Sequence, residues 1–67
     1  MKTFKSINDY ADNLVNKFGR SLIENNLEIK LPEKFSNLSY EEKIEYLLKN
    51  HSKDLEEDMG HYNANAE

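Results

Sequence analysis

The amino-acid sequence predicts an all-α fold: a small helical domain of two main helices, at about residues 7–25 and 40–59, joined by an extended connector and a short helical turn. Three observations predict it. Apolar residues recur at steps of three and four along both stretches. A serine followed three residues later by a carboxylate opens each of them. A single short segment, residues 27–31, carries the period of a strand, and the chain holds no second strand candidate to pair with it.

Residues 1–5 are expected to be frayed or extended. Ser6 is a suitable N-cap, with Asp9 three residues on, and Asp9 and Asp12 favour the positive end of the helix dipole. Ile7, Tyr10, Ala11, Leu14, Val15, Phe18, Leu22 and Ile23 then follow the helical period. Gly19 falls inside this first helix at a cost of roughly 1 kcal/mol relative to alanine. Either the position is exposed or another backbone approaches it closely. Asn25 and Asn26 end the helix, because asparagine tolerates the left-handed conformation that follows a last turn.

Leu27-Glu28-Ile29-Lys30-Leu31 alternates apolar and polar before Pro32. Two readings fit. The segment is a connector that lays Leu27, Ile29 and Leu31 over the helices, or it pairs with a strand from a second chain. The connector is favoured. Pro32 to Leu38 reads as a helical turn followed by a loop, with Phe35 and Leu38 plugging the core.

Ser39-Tyr40-Glu41-Glu42 is a capping box, and Tyr40, Ile44, Leu47, Leu48, His51, Leu55, Met59 and Tyr62 share the stripe behind it. Asn50-His51-Ser52 is its weak point, since Asn50 suits a helix end and Ser52 a new N-cap. The stripe keeps phase across that point, which favours one continuous or slightly bent helix. Gly60 suits the position just past a helix end. That assignment leaves 1–61 as a single helical domain and 62–67 as a disordered tail that adds little to stability. Phe18, Leu22, Phe35, Ile44, Leu47 and Leu48 are expected to be buried together, and Tyr10 and Tyr40 to lie in the core stripes.

Sixty-seven residues allow one domain, and a core of this size rarely supplies more than ~3–5 kcal/mol. There is no cysteine, so neither a disulfide nor a thiolate metal site can add to it. No N-terminal leader pattern and no apolar run of membrane-spanning length is visible, so a soluble, cytoplasmic protein is expected. The net charge of −4 is uneven: residues 1–31 hold five basic and four acidic groups, and the remainder four basic and nine acidic. With a mean hydropathy of −0.91, the chain is polar enough that a homodimer or a docked partner is expected to complete its core. The many Asn and Lys residues are compatible with a low-GC bacterium, its phages or a mobile element.

Catalytic parts are missing: there is no Cys nucleophile, no Gly-rich phosphate loop and no Gly-x-Ser-x-Gly. The chain is too short for a substrate pocket of ~300 Å³ or more. No enzyme activity and no cofactor is expected. His51, Asp54, Asp58 and His61 would line one face of an unbroken helix. They span roughly three turns, too far for one ion, so no metal site is assigned.

The remaining expectation is a small protein that binds another protein as an inhibitor, adaptor or regulator. Its contact residues are sought among Asp54, Glu56, Glu57 and Asp58, an acidic cluster suited to a basic partner surface. Carboxylates near a helix C-terminus oppose the macrodipole, so local stability does not explain them. Tyr46 on the outer face of the second helix, and Leu27 and Ile29 on the alternating edge, are the further candidates. Two alternatives stand beside this. One is a structural homo-oligomer. The other is a nucleic-acid-associated, helix-turn-helix-like regulator using Lys2, Lys5, Lys17 and Arg20 against phosphates. That reading needs a basic recognition helix, and the second helix is acidic.

Overall fold

A computed structural model describes residues 3–65. The fold is all-α: α1 (Ile7–Lys17), α2 (Arg20–Leu27), a 3-10 turn (Glu33–Asn37), α3 (Tyr40–Asn50) and α4 (Ser52–Ala64), with no strand among the described residues. Helix α1 packs against α3 and α4, and α4 also meets α2 and α3. Each of the two expected helical stretches is therefore divided, and the divisions decide what is buried.

Ser6 caps α1 as expected, its hydroxyl accepting from the Asp9 N–H at 3.2 Å. The helix stops at Lys17. Phe18 and Gly19 are extended (φ −121° and −82°), and α2 starts after them. Gly19 is thus outside a helix, and a Cβ built on it would meet no atom within 4 Å, so no close approach explains it. The two extended residues rephase the chain. Ile23 and Leu27 turn inward, at 1% and 5% exposure, while Leu22, expected in the core, faces out at 51%. Phe18 is half-buried.

Helix α2 runs past Asn25 and Asn26, because one more turn carries Leu27 into the core. The left-handed position falls instead on Glu28 (φ 56°, ψ 48°). The amides of Glu28 and Ile29 both reach the Glu24 carbonyl, closing the helix end. Beyond it lies the connector, whose alternation does not make a strand. Leu27 is helical and Glu28 left-handed. At Leu31 the backbone partners are side chains of α2. The Leu31 N–H donates to Glu24 Oε2 at 2.7 Å, and the Leu31 carbonyl accepts from Arg20 Nη1 at 3.2 Å. These two contacts replace the ladder bonds that a lone strand would lack, and they hold Leu31 at 5% exposure.

The helical turn after Pro32 is present, closed by the Phe35 N–H on the Pro32 carbonyl at 3.0 Å. Phe35 is the expected plug, at 1% exposure. The capping box of α3 is complete: the Glu42 N–H donates to Ser39 Oγ at 3.2 Å, and the Ser39 N–H to Glu42 Oε1 at 2.9 Å. Leu47 is fully buried, and Ile44 and Leu48 are half-buried. Tyr40 is not a core residue. It lies 46% exposed with its hydroxyl on Asp12 of α1.

The second stretch breaks at His51 (φ −136°, ψ 33°) instead of running on. The Asn50 side-chain amide donates to the Tyr46 carbonyl at 3.1 Å, the kind of local bond that competes with helix continuation. The turn lets α4 bury Leu55 completely. Gly60 does not end α4, which continues to Ala64, so residues 62–64 of the expected tail are helical. The reason is tertiary. Phe4 is 8% exposed, and its ring stands 4.9 Å from that of Tyr10 and 5.1 Å from that of Tyr62. Its backbone N–H donates to Asn63 Oδ1 at 2.9 Å, and its carbonyl accepts from Asn63 Nδ2 at 3.0 Å. Phe4 is accordingly not frayed. The parts of the end-segment expectations that concern residues 1, 2, 66 and 67 lie outside the described residues. No helix among the described residues is long and apolar enough to cross a membrane.

Candidate interaction surface

The left-handed turn at Glu28 brings the end of α2 alongside the outer side of α4. Between them lies an open cleft of about 170 Å³, lined by Asn26, Leu27, Glu28, Asp54, Glu57, Asp58 and His61. Four of these seven carry carboxylates. Asp54, Glu57 and Asp58 share a face because they are three and four residues apart on α4. Glu28 arrives from the other element.

Two of the carboxylates are tied down within the chain. Asp54 Oδ2 lies 3.4 Å from His51 Nδ1, across the break between α3 and α4. Asp58 accepts from the hydroxyl of Tyr10. Burial pushes the Tyr10 phenol well above its ordinary pKa, and the bond to Asp58 adds to the shift. The proton therefore stays on tyrosine and Asp58 is the acceptor. Glu28 and Glu57 have no ion-pair or side-chain hydrogen-bond partner among the described residues. They are the two charges on which the cleft can spend a new contact.

The expected contact residues separate into three places. Asp54, Glu57, Asp58 and Leu27 meet in the cleft. Leu27 contributes little accessible surface, since it is 5% exposed. Glu56 is exposed but does not line the cleft. Ile29 is half-buried in a neighbouring groove with Glu24, Asn25, Glu28 and Lys30. Tyr46, placed on an outer face by its spacing, is half-buried, with its ring edge-on to Phe35 at 5.7 Å. It borders a separate groove with Leu38, Glu42, Glu45, Lys49 and Asn50.

Glu28, Asn26 and His61 are the cleft residues that the sequence reading missed. Glu28 sat within the alternating segment, and His61 was weighed only as a metal ligand. Because α4 starts afresh at Ser52, Asp54 lies in its first turn, where the helix dipole favours a carboxylate. Carboxylates from two elements still line one cleft. Among the described residues, no group of three His, Asp or Glu is arranged to hold a metal. Of the basic residues considered for phosphate contacts, Lys5 and Lys17 are exposed. Arg20 is engaged with the Leu31 carbonyl and lies 3.8 Å from Glu24, and Lys2 lies outside the described residues. Searches with the chain match no protein-family model, no curated protein and no solved structure.

Proposed function

We propose that this chain works by binding another protein, as an inhibitor, adaptor or regulator without a catalytic step of its own, and that the α2–α4 cleft takes a basic side chain of that partner. The observation that carries the reading is the convergence of Glu28 with Asp54, Glu57 and Asp58. Like charges brought together repel, and a lysine or arginine inserted among them relieves that repulsion. The backbone at Glu28 points the same way. A glutamate in the left-handed region costs about 1–2 kcal/mol that glycine would avoid, so its carboxylate is kept at the expense of a better helix end. A cleft of about 170 Å³ suits a single side chain better than a small-molecule substrate, whose pockets start at ~300 Å³.

Glu56 and Glu57 provide the test, because they are adjacent on α4 and only Glu57 lines the cleft. An affinity pull-down with the full chain identifies the partner. Association rates are then measured at low and moderate salt for the wild type, Glu57→Lys and Glu56→Lys. Exposed substitutions usually move stability by less than ~0.5 kcal/mol, so both variants fold. Glu57→Lys should slow association by roughly ten-fold or more at low salt, with the difference shrinking as salt is added. Equal rates for Glu57→Lys and wild type would move the interface elsewhere, first to the groove bordered by Tyr46.

A further inference from the structure

We infer that the second half of α4 is a separately opening arm, held shut by a latch between the N-terminal segment and its last turn. The apolar hold on this helix is concentrated early. Leu55 is its one buried residue, Met59 is half-buried, and Glu56, Glu57, Gly60, His61 and Ala64 are exposed. From Asp58 onward, core packing is reduced to half-buried Met59, and the rest of the attachment is of another kind. Asp58 accepts from Tyr10, the Tyr62 ring lies against Phe4, and the Asn63 amide bonds both backbone polar groups of Phe4.

The Asn63 contact resembles one rung of a sheet made by a side chain. A primary amide offers one acceptor and one donor side by side, and Phe4 presents the matching pair. Such a rung is lost as a unit, since rotating the Asn63 side chain away breaks both bonds. Once it is lost, the arm keeps only the Asp58–Tyr10 bond, half-buried Met59 and the Tyr62 ring, and its helix includes Gly60. Segments with few buried apolar contacts open below the global unfolding free energy. Leu47, Ile23 and Phe35 lie on other elements and hold the rest of the core. Opening would carry Asp58 and His61 away from Glu28, so the latch also governs whether the α2–α4 cleft is complete. That last consequence rests on the functional reading above, and the latch itself does not.

Native-state hydrogen exchange on the full chain, followed residue by residue by NMR, tests the latch without any partner. In Asn63→Ala, the amides of Met59 to Asn63 should exchange about ten-fold faster than in wild type, while those of Leu14 and Leu47 stay at their wild-type rates. Asn65→Ala is the control, because among the described residues the Asn65 side chain bonds only the His61 carbonyl of its own helix, at 3.0 Å. It should leave the Met59–Asn63 rates unchanged. Acceleration of all helices together in Asn63→Ala would overturn the inference, since α4 would then open only with the whole domain. Unchanged α4 rates would also overturn it, because the amide would then not be holding the arm.

Discussion

Helices α3 and α4 are similar in length, 11 and 13 residues, and meet at His51, yet opposite means hold them. The start of α3 is written in its own sequence: a reciprocal Ser39–Glu42 box and acidic residues in its first turn. Its buried Leu47 lies mid-helix, with Ile44 and Leu48 beside it. Helix α4 has no side-chain cap at its start and a glycine in its interior. Its last turn answers to a phenylalanine 59 positions away. Local signals made α3, and α4 as far as Met59, readable from the sequence, while the last turn of α4 follows from contacts that only the assembled chain supplies. The difference matters for the cleft, because three of its carboxylates stand on α4.

The largest effect should come from the core of α3. Leu47 is fully buried, so Leu47→Ala should cost ~2–5 kcal/mol, and urea unfolding followed by circular dichroism should show most of the domain lost. A wild-type midpoint would show that α3 is not the central element. Next comes removal of residues 62–67, which takes away Tyr62 and Asn63. Two hydrogen bonds and an aromatic contact are together worth ~2 kcal/mol, which in a domain this small lowers Tm by roughly 10 °C. An unchanged melting curve would show that α4 does not need its last turn. Serines at the two helix starts sharpen the contrast further. Ser39→Ala should cost ~1 kcal/mol by removing the cap. Ser52→Ala should be nearly neutral, because Ser52 is the first residue of α4 and the cap position falls on His51, which makes no side-chain cap bond. Equal costs would erase the distinction between a capped and an uncapped start. The smallest effect has the opposite sign. A Cβ at Gly60 would meet nothing within 4 Å, so Gly60→Ala should stabilise by ~0.5–1 kcal/mol. Destabilisation there would mean that α4 is not helical through residue 60.

Features whose causes lie within a few residues were legible in the sequence: the Ser6 cap, the Ser39–Glu42 box, the turn after Pro32, and the burial of Phe35 and Leu47. The breaks at Phe18–Gly19 and His51 were not. An apolar stripe that keeps its phase fits one bent helix as well as two short ones, and the choice falls to packing. Leu22 shows the consequence. It shares a helical period with Leu14 and Phe18, yet two extended residues turn it outward. Part of the cleft was visible because Asp54, Glu57 and Asp58 repeat on one helical face. Glu28 was hidden, since its period-two neighbours concealed a left-handed turn. The meeting of α2 with α4 is a tertiary fact with no local mark.

The bond between Phe4 and Asn63 also has a meaning in time. A chain made from its N-terminus at ~5–20 residues per second produces Phe4 roughly three to twelve seconds before Asn63. Through that interval the rings of Phe4 and Tyr10 have no Tyr62 to cover them, even once α1 has formed. The aromatic pair therefore stays without its full cover until the last helical turn has been made. That cover comes only when the turn carrying Tyr62 and Asn63 closes over Phe4.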